Sequence, residues 1–105
     1  MSERAIRLLD AARADLRVGR RFYKRLQPGV GAWFWDSLIA DIELLHIHAG
    51  VHARQYGYYR LLARRFPYAV YYELDSQYIT VVAVLPLRRD PAWVTRQFQN
   101  RSSGN

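Results

Sequence analysis

The sequence predicts an α+β fold, and three features of its pattern predict it. Apolar residues recur at helical spacing in two successive segments between residues 11 and 49. A proline–glycine turn separates those segments, and from residue 58 to residue 85 the spacing changes to the alternation of strands. The expected architecture is an N-terminal strand, an antiparallel helical hairpin packed on a small, mostly antiparallel sheet, and a short C-terminal helix.

Residues 4–9 (RAIRLL) suit a short first strand, with Asp10 placed to cap the helix that follows. Beyond it Ala12, Leu16, Gly19, Tyr23 and Leu26 step by four and three along one face. Arg13, Arg17, Arg20, Arg21 and Lys24 lie mainly off that face. Gln27-Pro28-Gly29 breaks the helix. A second helix is expected from about Ala32 to Ala49. Phe34, Leu38, Ile42, Leu45 and Ala49 form its buried stripe, Asp36, Asp41 and Glu43 its acidic back, and Gly50 its stop. Residues 51–57 (VHARQYG) have no period and are expected to be a loop.

Period two begins at Tyr58, where Tyr59, Leu61 and Ala63 alternate with Tyr58, Arg60, Leu62 and Arg64. Phe66-Pro67 turns the chain into a strand from Tyr68 to Leu74. Asp75-Ser76 makes a tight connection to a β-branched strand from Gln77 to Leu85, which Pro86 stops. Asp90 and Pro91 are a helix N-cap and first position. The domain is expected to span residues 1–100, with residues 101–105 (RSSGN) a frayed tail.

The totals bound the function. At 105 residues and 50% hydrophobic, the chain has material for one modest core and one domain. It has no cysteine, which removes disulfides and thiolate metal sites and fits a reducing cytoplasm. No apolar run reaches the length of a membrane span, and the N-terminus lacks a signal-peptide apolar block, so a cytoplasmic protein without a membrane partner is expected. Net charge is +7, carried almost wholly by arginine, with Lys24 the only lysine. Arginine's planar fork suits phosphate and carboxylate, so an acidic partner is expected, either nucleic acid or protein; a coding bias toward arginine gives the same composition.

The candidate site residues cluster in the last third of the chain. Arg64-Arg65 and Arg88-Arg89 bracket the alternating segment, and with Arg60 they form either a contact patch or a set of solvated strand ends. Tyr68, Tyr71 and Tyr72 stack on bases or pack under helices, and packing is the expectation for Tyr68 and Tyr72, which share a face. Trp33 and Trp35 cannot both be buried on one helical face, which leaves one for a partner. His46 and His48, two apart on a helix, point nearly opposite ways and with His52 make no metal site. No glycine-rich phosphate loop and no nucleophile–histidine pair is present, and no cofactor is expected.

The PGVGAWF turn, the RRFPYAVYYEL turn and strand, and the VLPLRRDPAW close, in that order across residues 5–98, resemble the RelE/ParE superfamily of type II toxin–antitoxin toxins, and more closely its ParE-like branch. The resemblance implies a toxin neutralised by a cognate antitoxin with an acidic C-terminal segment, and a contact with DNA only through that antitoxin. RelE-like members are ribosome-dependent endoribonucleases that cut mRNA, and ParE-like members inhibit DNA gyrase.

Cleavage by a 2′-hydroxyl needs a base, an acid and positive charge. On the RelE-like pattern Arg60 and Arg88 keep two basic positions, whereas Leu62, Ala69 and Trp93 stand at the others, and Pro86 stands where many relatives have histidine. Arginine is a poor base and indole has no useful proton. The resemblance therefore implies gyrase inhibition by binding, with the ribosome-dependent nuclease as the alternative, carried by Arg60 and Arg88. The implied target surface is Arg60, Arg64, Arg65, Arg88, Arg89 and Trp93. The implied antitoxin surface is Arg13, Arg17, Arg20, Arg64 and Tyr68.

Overall fold

In the computed structural model, which describes residues 4–103, the elements follow the expected order with one strand added. They are β1 (Ala5–Leu8), α1 (Asp10–Leu26), α2 (Val30–Glu43), a single turn α3 (Leu45–His48), β2 (Arg54–Gln55), β3 (Tyr58–Leu62), β4 (Tyr68–Leu74), β5 (Tyr78–Pro86) and α4 (Pro91–Ser103). The sheet order is β1-β5-β4-β3-β2, with β1 parallel to β5 and every other pair antiparallel.

The sheet is covered on both faces. Ala12 and Leu16 of α1 and Phe34, Leu38 and Ile42 of α2 pack with Leu45 on Val70, Tyr72, Ile79, Val81 and Val84. On the opposite face α4 lays Val94, Trp93 and Phe98 against Ala69, Tyr71, Val82, Ala83 and Leu85. β4 and most of β5 are thereby buried on both sides, so their apolar runs do not alternate. A bulge shifts the register, with Tyr71 opposite Ala83 and Tyr72 opposite Val81, so that Val82 is the extra residue.

The helical hairpin closes at two glycines. A Cβ on Gly31 would lie 2.7 Å from the Arg20 carbonyl oxygen, and one on Gly19 2.5 Å from Phe34 Cζ. Both positions let α1 and α2 approach closely. Gly29 and Gly50, at φ 87° and 93°, flank the α2–α3 segment in the left-handed region.

Six expectations are corrected. Asp10 is the first residue of α1 and not its cap, because Leu9 is still bonded to the strand through its N–H to the Val81 carbonyl. Asp10 then sits in the first turn, where a carboxylate suits the helix dipole. Leu26 does not join the buried face; the helix ends there, beyond the sheet, and it is 65% exposed. Asp41 is not on an acidic back. It is buried at 2% exposure and accepts bonds from Arg64.

The second helix is interrupted at Leu44 instead of running unbroken to Ala49. The 51–57 loop contains β2, joined to β3 by the two-residue turn Tyr56-Gly57 with both φ positive, the geometry that suits the twist of a hairpin. Finally, α4 continues through Arg101 to Ser103, so residue 100 lies inside the helix; Gly104 and Asn105 of the expected tail lie outside the described residues.

Candidate functional site

The two arginine pairs are brought to one end of the sheet by the meander. The Ala63 N–H donates to the Tyr68 carbonyl at 2.9 Å and the Leu87 N–H to the Pro67 carbonyl at 2.9 Å. These bonds tie the end of β3, the start of β4 and the end of β5 side by side. Phe66, in the β3–β4 connection, is clamped by Tyr23, Phe34 and Trp33, with ring centroids 4.9, 5.2 and 4.8 Å away. Such edge contacts contribute about 0.5–1.5 kcal/mol each beyond burial, so the connection that carries Arg64 and Arg65 is held against the hairpin.

Each arginine of the patch that shows a partner is oriented by it. Arg64 donates its backbone N–H and its Nε to Asp41, at 3.1 and 2.7 Å, while 55% of its side chain stays exposed. Arg88 stacks over Phe22 of α1 at 5.0 Å, and Arg89 over Trp93 of α4 at 4.5 Å. Arg65 is exposed. Asp90 accepts the Trp93 N–H at 2.8 Å, as its N-cap position requires, and this sets the first turn of α4 and with it the indole under Arg89.

Other expected residues stand apart from this patch. Arg60 lies opposite Tyr71 on the α4 side of the sheet. It borders a cleft of about 400 Å³ with His52, Arg54 and Gln55. Its Nε is buried with no hydrogen-bond partner among the described residues. Arg13 and Arg17 are exposed on α1, and Arg20 stacks on Trp35 at 5.6 Å. Trp35 is half-buried and Trp33 is 51% exposed, so Trp33 is the indole that solvent can reach.

Tyr68, Tyr71 and Tyr72 are all packed rather than splayed for stacking on bases. Burial pushes the Tyr68 phenol up to about 12, the Tyr23 hydroxyl adds to this, and Arg88 opposes it. The Tyr71 phenol is also raised, chiefly by burial, with Arg60 pulling the other way. Neither is a proton donor or acceptor near neutral pH. Ala69 is fully buried and Leu62 is 51% exposed, so neither position of the nuclease pattern carries a group able to move a proton.

His52 Nδ1 lies 2.5 Å from the Tyr72 hydroxyl, which also accepts the Gly50 N–H at 2.9 Å. Tyr72 is fully buried, and donation of its hydroxyl proton to Nδ1 would favour the neutral ring. Burial, and secondarily the His48 charge, lower its affinity for a proton. Among the described residues no group of three or more histidine or carboxylate side chains is disposed to hold a metal. No helix among the described residues is long and apolar enough to cross a membrane. The patch as built can hold phosphate or carboxylate oxygens.

A pair that sequence reasoning missed joins α1, β5 and α4. Asp15 Oδ1 and Oδ2 accept from Arg101 Nη2 and Nη1 at 2.7 and 2.9 Å. Oδ2 also accepts the Val84 N–H at 2.9 Å, and Arg101 Nη1 donates to the Val82 carbonyl at 3.0 Å. β1 pairs with β5 only as far as Val81, so Asp15 and Arg101 satisfy the edge groups that β1 leaves open. Asp15 at i+3 from Ala12, beside the buried face, is the sequence signal for half of it.

No family model matches the chain, and no curated protein matches it. Among solved structures, a chain of the chromosomal ParDE TA system from P. aeruginosa superposes with a TM-score of 0.74 at 15% identity, covering 82% of this chain and 98% of that one. A chain of the toxin–antitoxin complex RelBE2 from Mycobacterium tuberculosis is 21% identical over 81% of this chain and 99% of that one, but its TM-score of 0.48 is too low to carry weight. At these identities the likeness is one of architecture: this chain has a RelE/ParE-like fold.

Proposed function

We infer that this chain is the toxin of a type II toxin–antitoxin system, that it acts by holding its target, DNA gyrase, without turning over a substrate, and that a cognate antitoxin with an acidic C-terminal segment neutralises it. The fold shared with a chain of a ParDE system supports the class. The observation that carries the mode of action is the state of the arginine patch. Arg64, Arg88 and Arg89 are braced by a carboxylate, a phenyl ring and an indole, and none of these contacts is with a histidine. A braced set of cations has little side-chain freedom left to lose, which favours binding and offers no base for a 2′-hydroxyl.

On this reading Arg64, Arg65, Arg88, Arg89 and Trp93 form the target surface, with Arg60 at its far side. Arg13, Arg17, Arg20 and Arg64 receive the antitoxin's carboxylates, and Tyr68 offers the edge that lines the cleft beside α1. The protein works in the cytoplasm and meets DNA only through the antitoxin.

One observation favours the second reading, a ribosome-dependent mRNA endoribonuclease. Arg60, one of the two arginines that the nuclease pattern keeps, borders an open cleft together with Arg54, and two guanidinium groups there suit an RNA phosphate. The two are separated by adding purified protein to a gyrase supercoiling assay and to a translating ribosome reaction. Blocked supercoiling with intact message supports the proposal. Prompt cleavage of ribosome-bound mRNA, lost in Arg60→Ala, overturns it.

A further inference from the structure

Net charge is +7, yet one long segment carries none of the cations. From Leu26 to Ala53 the chain has no lysine or arginine and three carboxylates, Asp36, Asp41 and Glu43. Asp41 is buried against Arg64, so the carboxylates at the surface of this segment are Asp36 and Glu43. Beside them Ala40, Leu44, Ile47 and Val51 recur at steps of four, three and four, the spacing of a helix-pairing seam. All four are exposed, Ile47 and Val51 at 74%.

The row survives the interruption of the helix. Leu44 keeps helical dihedrals, φ −63° and ψ −15°, and its carbonyl accepts the N–H groups of Ile47 and His48, each at 3.0 Å. The Gly50 turn, at φ 93°, does not carry Val51 away, because the Val51 N–H donates back to the His48 carbonyl at 3.2 Å. The result is an apolar row about 16 Å long, or three helical turns, on the outside of α2 and α3.

We propose that this row is a self-association face, on which a second copy of the chain packs about a two-fold axis with its α2–α3 segment antiparallel to the first. The spacing is self-complementary. An axis level with the midpoint of Leu45 and His46 sets Leu44 opposite Ile47 of the second copy and Ala40 opposite its Val51, and the symmetry repeats both pairs. Glu43 does not face itself, since the two carboxylates stand five residues apart along the pair, about 7.5 Å at 1.5 Å per residue. The charge of the chain selects the occupant. Two copies at +7 repel wherever their arginines meet, and on this face no arginine stands within the row. Nucleic acid or an acidic protein finds carboxylates here and no cation to pair with. A row of three turns covers less than the about 800 Å² a side of a standard interface, so the dimer belongs to the weak, concentration-dependent class. The inference does not rest on the toxin reading.

The test is sedimentation equilibrium of the full chain from about 10 μM to about 1 mM. The average mass is expected to rise toward twice the monomer and no further. It should rise more at about 0.5 M salt than at about 0.1 M, because salt screens the net repulsion and leaves the apolar contact intact. Leu44→Ser and Ile47→Ser should each weaken the dimer by about tenfold or more, and Val18→Ser, at an exposed apolar position of α1, should leave it unchanged. The chain has no cysteine, which allows a test of register. Leu44→Cys mixed with Ile47→Cys should cross-link under mild oxidation faster than either variant alone.

Circular dichroism with denaturant melts confirms that each variant folds. A monomer across the whole range, as expected if a different protein covers this face, overturns the proposal. So does a mass that climbs past the dimer or an association that salt weakens, either of which marks a contact between arginines and carboxylates of unlike faces. Equal loss with Val18→Ser, or a mixture that cross-links no faster than its components, overturns it as well.

Discussion

Replacing Arg101 by alanine should cost about 2–3 kcal/mol at neutral pH, although the residue stands only two before the end of the described chain. The guanidinium makes two charge-assisted bonds to Asp15 and one to the Val82 carbonyl, and the two side chains are only 21% and 14% exposed. Breaking a fully buried pair from one side costs about 3–5 kcal/mol, because the remaining charge stays desolvated. Partial exposure and the freedom of a helix end reduce that figure. For a domain of this size the loss corresponds to a fall in Tm of roughly 10 °C or more. Arg96→Ala, on an exposed position of the same helix, should stay within about 0.5 kcal/mol of the parent.

The pH dependence of that deficit is the sharper test. Burial is the main cause that raises the Asp15 carboxyl above its ordinary value, and Arg101 and the Val84 N–H pull it back. Without Arg101 the carboxyl rises further. The folded variant then binds more protons than its unfolded chain between about pH 3.8 and the folded value, so its stability from this group is present at low pH and lost as pH rises. The gap between Arg101→Ala and the parent, from urea melts, should therefore be widest near pH 7 and close as the pH falls toward about 4. In an Asp15→Asn background the same substitution should cost no more than about 1 kcal/mol. A deficit below about 0.5 kcal/mol, or one that does not change with pH, would falsify the reasoning.

Three further outcomes are expected. Asp41→Ala empties a buried position and removes the acceptor of the part-buried Arg64 N–H and Nε bonds, and should cost about 1–2 kcal/mol in a denaturant melt, whereas the exposed Glu43→Ala should cost almost nothing. Because His52 is held below its ordinary value of about 6.5, the native state binds fewer protons than the unfolded chain just below that pH. Stability should be full above about 6.5 and decline on acidification, and His52→Gln should flatten that part of the profile. Gly31→Ala drives a Cβ against the Arg20 carbonyl, a backbone atom that cannot rotate away, and should cost about 1–3 kcal/mol, measurable as a lower Tm.

Where residues report their own burial, the sequence was sufficient. The α1 face through Ala12, Leu16 and Gly19, the α2 stripe from Phe34 to Leu45, and the Asp90-Pro91 helix start lie where spacing and capping put them. What escaped depends on partners distant in sequence. Asp41 sits three residues after Leu38 and four before Leu45, on the buried face by spacing alone. Its charge argued for solvent, and only Arg64, 23 residues away, makes its burial tolerable.

β2 escaped because it has two residues and its turn opens with Tyr56 at φ 57°, where asparagine or glycine is the usual signal. The bulge at Val82 was hidden by burial on both faces, which leaves no alternation to break. Arg101 looked like tail because its partners are on α1 and β5. For the site itself, the arginine pairs were visible as pairs, and the exposed ridge of Val18, Phe22 and Leu26 was overlooked behind the basic residues around it.

The orientation of the patch depends on that unseen tie. Arg89 is aimed by the Trp93 ring, and Trp93 is fixed only if α4 lies flat on the sheet. At its middle the helix is held by Phe98, whose ring sits 5.0 Å from Tyr58, 5.1 Å from Tyr71 and 5.7 Å from Tyr56. At its far end it is held by Arg101 on Asp15. The same carboxylate bonds the Val84 N–H, two residues before Pro86, and so fixes the end of β5 from which Arg88 and Arg89 emerge. Pro86 fits there because the Leu87 N–H points to the β4 side, which turns the position before it to the open edge, where a missing N–H costs nothing. Asp15 thus fixes both elements that present the last arginine pair, the strand directly and the helix through Arg101. A sheet whose outer strand β1 pairs with β5 only as far as Val81 would otherwise leave that pair on a free edge.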